Sequence, residues 1–128
     1  MKFLLDTHLL VWMANQPQRL SKPASELLTD PSNDLCFSAI SVWEVAIKQN
    51  LGRSSFTVDA PTLRRGLLAN GFQEIYLSSD HGLATLNLPP IHQDPFDRIL
   101  IAQAICENIT LLTSDAEIAK YPGPIRKV

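Results

Sequence analysis

The chain has 128 residues, 45% of them hydrophobic and 19% charged, with a formal net charge of −2 at pH 7. Such a chain is expected to form one domain over residues 1–128 with a real hydrophobic core and the composition of a soluble globular protein. No apolar run approaches the ~20 residues of a membrane span, no signal peptide is expected because the first residues lack a basic segment followed by an apolar stretch and a small-residue cleavage site, and the charge balance leaves nucleic-acid binding to a local basic patch, if to anything.

In chain order, Phe3-Leu4-Leu5 is an apolar run too short for a helix, and reads as a buried strand at the centre of a parallel sheet. It stops at Asp6, whose charge belongs where the strand leaves the core. In open α/β sheets that carboxyl end is where ligands collect. A short helix follows to Asn15, then a linker containing Pro17. Ser21 caps a helix that runs to about Leu28, and residues 29–33 form a turn. Leu35-Cys36-Phe37 is a second strand, closed by Ser38. The next helix spans Ala39 to Asn50 and is apolar enough to pack deeply. Asp59 and Pro61 open another helix, which ends at Asn70-Gly71. Glu74 to Leu77 is a third strand, and Ser78 or Ser79 caps a short helix to about Leu86. Asp94 caps the clearest helix, with Pro95 at its first position, running to about Asn108. Thr110 to Thr113 is a fourth strand, a short helix follows Asp115, and Ile125 to Val128 is an edge strand. Alternating strands and helices imply a parallel sheet covered on both faces. Cys36 and Cys106 fall in core elements, so both are expected to be buried and reduced, as in a cytoplasmic protein.

The chemistry-bearing residues are carboxylates. Asp6 and Asp115 follow the first and fourth strands and meet at one sheet edge if those strands are neighbours. Either also suits a helix cap. Glu44 lies in an almost wholly apolar helix between Trp43 and Val45. A capping box with Ser41 or a pair with Lys48 would explain it, and so would a position pointing back at the sheet edge. Asp97 shares a helix stripe with Leu100, Ile101, Ala104 and Ile105, which turns it toward the sheet. Asp94 serves mainly as a cap. Several carboxylates in one cleft raise one another's pKa unless a cation is bound. Oxygen ligands with open positions suit magnesium or manganese. A hard cation in such a cleft equips it for phosphodiester hydrolysis, through one ion or two ions ~3.5–4 Å apart. Thr7, Ser41 and Thr113 supply hydroxyls suited to orienting the carboxylates or the water, and each equally suits a cap or a turn. His8 reads as partly buried, His81 and His92 as surface or loop residues, and the Trp and Phe residues as core. No zinc spacing, phosphate loop or nucleophile elbow is present.

The strings LLDTHLLVW, SAISVWEVAIK, HQDPFDRILIAQA and LLTSD together resemble the PIN domain, most closely the VapC-like toxins of bacterial toxin–antitoxin pairs. The resemblance spans nearly the whole chain. It implies a Rossmann-like α/β/α sandwich with a central parallel sheet of four to five strands. It also implies a magnesium- or manganese-dependent ribonuclease, whose partners are RNA, a cognate antitoxin and a second copy of the chain. The family's four acids fall on Asp6, Glu44, Asp97 and Asp115. Asp94 belongs to the Asp-Pro-Phe-Asp form of this subgroup, and Asp97 is the nearer choice for metal. The sequence departs at His8, where many relatives carry Asn. Lys48 and Arg53, and further off Arg64, Arg65 and Lys120, are candidates to grip an RNA backbone. Two rival readings stand beside this one. A receiver-like phosphate acceptor would need a second acid after the first strand and a Lys after a late one, where Thr7-His8 and Ser114-Asp115 stand instead. A catalytically silent RNA- or partner-binding module is the other.

Overall fold

The computed structural model describes residues 1–52 and 58–128. Its elements are β1 (Lys2–Leu5), α1 (Thr7–Asn15), α2 (Lys22–Thr29), β2 (Asp34–Ser38), α3 (Ala39–Asn50), α4 (Ala60–Ala69), β3 (Gln73–Ile75), α5 (Ser79–Ala84), α6 (Pro95–Glu107), β4 (Thr110–Thr113) and β5 (Ile125–Lys127). The five strands form one parallel sheet in the order β3-β2-β1-β4-β5, with β1 central as expected.

The pleat sends successive side chains to opposite faces, so the run Phe3-Leu4-Leu5 feeds two cores. Phe3 and Leu5 join Phe37 and Leu112 in one core, packed against α1, α3 and α4 through residues such as Leu10, Val45 and Leu63. Leu4 joins Cys36 and Leu111 on the other face, against Leu100, Ile101 and Ala104 of α6. The register agrees, with Leu4 opposite both Cys36 and Leu111. The result is a three-layer α/β/α sandwich.

Local signals set the helix starts. Ser21, Ser38 and Asp59 accept backbone N–H bonds at the heads of α2, α3 and α4, and Asp94 does so for α6 with Pro95 following. The Ser38 cap starts α3 at Ala39, so the Ser41–Glu44 capping box is not formed. Helix α6 ends on Asn108, in the left-handed region at φ 55°.

Several expectations are corrected. β3 stops at Ile75, and Tyr76 and Leu77 are exposed. The ladder ends at Ser38 opposite Ile75, where β2 turns into α3 and offers no further partner. Both cysteines are free, but Cys106 is exposed, because it lies off the Leu100–Ile101–Ala104 stripe, and Ile105, expected on that stripe, is exposed beside it. Helix α3 is not buried all round: Trp43 is 58% exposed and packs on the Phe96 ring at 5.4 Å between centroids. Its inward positions belong instead to Ile40, Ser41, Glu44 and Val45. His81 is buried, closing a capping box with Ser78 and pairing with Glu107 at 3.0 Å, whereas His8 is exposed and leans on Trp12. No helix among the described residues is long and apolar enough to cross a membrane.

Candidate metal centre

The strand order reverses between β1 and β4, since the chain adds β2 and β3 on one side of β1 and β4 and β5 on the other. Ligands favour such a switch point at the carboxyl ends of the strands. Asp6 occupies it. The carboxylate is buried, 2% exposed. Its Oδ1 accepts the Leu9 N–H at 2.9 Å, capping α1, and its Oδ2 accepts the Thr113 hydroxyl at 2.5 Å. The Thr113 hydroxyl oxygen also accepts the Asp115 N–H at 3.0 Å. One hydroxyl thus ties the end of β1 to the turn after β4. Burial pushes the Asp6 pKa up, against the pull of the bonds from Thr113 and Leu9, so its negative charge is held at a cost.

Glu44 reaches the same edge from α3. It is 4% exposed. The Thr7 hydroxyl lies 2.7 Å from Glu44 Oε1 and 2.9 Å from the Ser41 hydroxyl, and Lys48 Nζ lies 2.8 Å from Glu44 Oε2. The pairing with Lys48 and the orientation toward the sheet edge therefore both hold. Asp97 approaches from the first turn of α6. Burial, then the charge of Asp94, then that of Glu44 push its pKa up to about 6, while a hydrogen bond from His92 opposes them. Asp115 is half-buried, and its Oδ1 accepts the Glu117 N–H at 2.8 Å.

Among the described residues, the tight three-ligand grouping is His92, Asp94 and Asp97, each offering one donor atom within 4.8 Å of the others. Asp6, Glu44 and Asp115 do not fall in a group of that tightness. Each is held by its own partner: Thr113 and Leu9 N–H, Lys48 and Thr7, and Glu117 N–H. His92 is the residue that sequence reasoning missed. Its Nε2 stands 2.9 Å from Asp97 Oδ2, because the segment before α6 folds back over the first helical turn. The signal available was its position two residues before the Asp94 cap. Asp94 uses Oδ1 on the Phe96 and Asp97 N–H groups, as a cap should. Arg64 and Lys120 are paired with Glu74 and Glu117, Arg65 bonds Thr62, and Arg53 lies outside the described residues.

A doubly wound α/β protein with a buried carboxylate, Asp6, at its switch point is therefore in hand, and the His92–Asp94–Asp97 group, mostly carboxylate oxygens, has donors that could hold a divalent cation. The family model for the PIN domain matches residues 3–124, and the chain belongs to that family. It is 28% identical over 125 residues to Ribonuclease VapC22 of Mycobacterium tuberculosis, with 95% of each chain covered. It also resembles the crystal structure of VapBC2 from Rickettsia felis bound to a DNA fragment from its promoter. There the TM-score is 0.72 and the identity 18%, covering 99% of this chain and 98% of that one. VapBC-1 from nontypeable Haemophilus influenzae gives a TM-score of 0.62 at 21% identity, with 99% and 98% covered. At those identities the solved structures speak to the fold, which is the PIN α/β/α sandwich.

Proposed function

We propose that this chain is a VapC-like ribonuclease toxin of a toxin–antitoxin pair, one PIN unit over residues 1–128 working in the cytoplasm. The observation that carries the reading is the buried Asp6 at the β1–β4 switch point, coupled through Thr113 to the Asp115 turn, in a chain matched to the PIN model. Asp6, Glu44, Asp97 and Asp115 are the residues to hold magnesium or manganese. The donor chemistry fits: burial raises the pKa of both Asp6 and Asp97, and a nearby cation would relieve the charge that burial penalises. A bound divalent ion would supply a water of lowered pKa and positive charge for a phosphodiester under attack.

The chain's own groups prepare that site. Thr113 fixes Asp6 Oδ2, and Thr7 with Ser41 fixes Glu44. Asp94 sets the first turn of α6 and so the height of Asp97. Lys48, which also pairs with Glu44, and Arg53 are the basic residues we assign to the RNA backbone, which single-stranded or looped RNA presents with its bases splayed. The RNA is the substrate. The resemblance to Ribonuclease VapC22 supports the activity. The fold shared with a toxin–antitoxin complex from Klebsiella pneumoniae, at a TM-score of 0.64 and 16% identity, supports a cognate antitoxin as partner, and a homodimer is the expected assembly.

The test is cleavage of a mixed RNA pool by the antitoxin-free chain with magnesium, with EDTA, and with Asp6→Asn. Cleavage that requires both the metal and Asp6 is expected. A folded protein that cuts nothing in magnesium would move the reading to a silent RNA- or partner-binding role.

A further inference from the structure

The segment between the short turn Thr85–Asn87 and α6 is held by more machinery than a surface connection needs. Arg98, in the second turn of α6, turns back across it. Its guanidinium donates to the carbonyls of Thr85 (3.1 Å), Leu88 (3.4 Å), Pro89 (3.0 Å) and His92 (3.5 Å). It also meets the Tyr121 hydroxyl at 3.1 Å. Tyr121, itself buried, closes on the backbone of one residue: its hydroxyl accepts the His92 N–H at 2.7 Å and donates to the His92 carbonyl at 2.9 Å. Both main-chain groups of His92 are thus fixed by one phenol. The consequence is a defined position for the imidazole, whose Nε2 lies 2.9 Å from Asp97 Oδ2.

A carboxylate has two oxygens and rotates freely about its last bond unless something holds it. Here one oxygen of Asp97 is held and the other is left for another partner. A hydrogen bond from outside the ligand set is a general way to fix a ligand's orientation, and its loss weakens metal binding. We propose that His92, presented by the Arg98–Tyr121 clamp, is a positioning residue that fixes the Asp97 carboxylate for a divalent ion. The inference rests on the metal-dependent reading of the site given above. Because the Nε2 of His92 is engaged by Asp97 Oδ2, His92 acts through Asp97 rather than as a member of the His92–Asp94–Asp97 donor group.

The experiment is manganese titration of the metal-stripped, antitoxin-free chain, followed by the EPR signal of the free ion, for wild type, His92→Ala, His92→Gln, Tyr121→Phe and Asp97→Asn. His92→Ala should bind manganese about tenfold or more weakly, with its circular dichroism unchanged. His92→Gln should recover most of the loss, since its side-chain amide can donate to the same oxygen. Tyr121→Phe should weaken binding by less than His92→Ala, because it frees the loop without removing the donor. Wild-type affinity in His92→Ala, alongside a large loss in Asp97→Asn, overturns the positioning role and leaves the metal reading intact. Wild-type affinity in Asp97→Asn overturns both. Imidazole nitrogen coupling to bound manganese in pulsed EPR of the wild type would make His92 a direct ligand and overturn the positioning role in that way.

Discussion

Replacing Asp97 with Asn should make the protein more stable in the absence of divalent metal. The Asp97 pKa is raised from its ordinary 3.8 to about 6, chiefly by burial and by the charge of Asp94. An acid with a raised pKa in the folded state favours folding only while it is protonated. Its contribution is complete below pH 3.8, is lost as the pH rises through about 6, and is absent above that. At 1.36 kcal/mol per pKa unit the penalty at pH 7.5 approaches about 3 kcal/mol. The side chain is 17% exposed, so solvent screening trims this to about 2 kcal/mol. An acid in the first helical turn regains about 0.5 kcal/mol from the helix dipole, which Asn forgoes. Asp97→Asn should therefore unfold about 1.5 kcal/mol harder than wild type at pH 7.5, a rise in Tm of about 5–7 °C for a chain of this size. At pH 4 the two should nearly coincide. The assay is thermal unfolding in EDTA from pH 4 to 8. Adding manganese should reverse the order, since an ion at a hundredfold over its Kd contributes about 2.7 kcal/mol to a chain that binds it. A variant no more stable than wild type at pH 7.5 in EDTA, or equally ahead at pH 4, would refute the burial argument.

Thr7→Val should cost about 1–2 kcal/mol in urea denaturation, because the bond from Thr7 to the buried Glu44 is charge-assisted and Val leaves that oxygen unsatisfied. The same variant should lower RNA cleavage in magnesium, whereas a purely structural Thr7 would leave the rate per folded molecule unchanged. Leu100→Ala, at a site of 0% exposure, should cost about 3 kcal/mol through lost burial and a residual cavity, while Ile105→Ala on the exposed side of α6 should cost under about 1 kcal/mol. Asn108→Ala forces a Cβ-bearing residue without a local polar partner into the left-handed cap of α6, and should destabilise by about 1 kcal/mol. Asn108→Gly should be near neutral in the same melts.

The parts of the fold that depend on neighbouring residues were legible in the sequence. Phe3-Leu4-Leu5 announced a central strand because only a strand buried on both faces needs three apolar residues in a row, and Asp94-Pro95 announced α6 because each residue type suits its position at a helix start. What failed depended on distant parts of the chain. Tyr76 and Leu77 look like strand residues, but their pairing was decided by where β2 turns. Trp43 looks like core, but Thr7 drew Ser41 and Glu44 inward and left the indole outside. Cys106 sits in a helix with a buried stripe and falls off it. His92 became visible only once Arg98 and Tyr121 had folded its loop over α6, a set of contacts spanning up to 29 residues of sequence.

For these carboxylates, the structural and the chemical reading are not alternatives. Asp6 caps α1 with one oxygen and meets Thr113 with the other, and Asp94 caps α6 while its charge raises the Asp97 pKa. An alanine at either position removes a cap worth about 1 kcal/mol together with the charge, so lost cleavage would report both at once. Asparagine keeps the side-chain oxygen that accepts the N–H and removes the charge; at Asp6 it also puts an amide donor where Oδ2 accepts from Thr113, whose hydroxyl oxygen can accept from it in turn. At Glu44, glutamine can likewise still accept from Thr7 while giving up the ion pair with Lys48. If Asp6→Asn and Glu44→Gln melt within about 1 kcal/mol of wild type, the cost of losing a modest pair or bond, yet no longer cleave RNA, the charge itself serves the chemistry and the remaining contacts serve the fold. If instead cleavage falls only in step with stability, the carboxylates are structural and the ribonuclease reading loses its site.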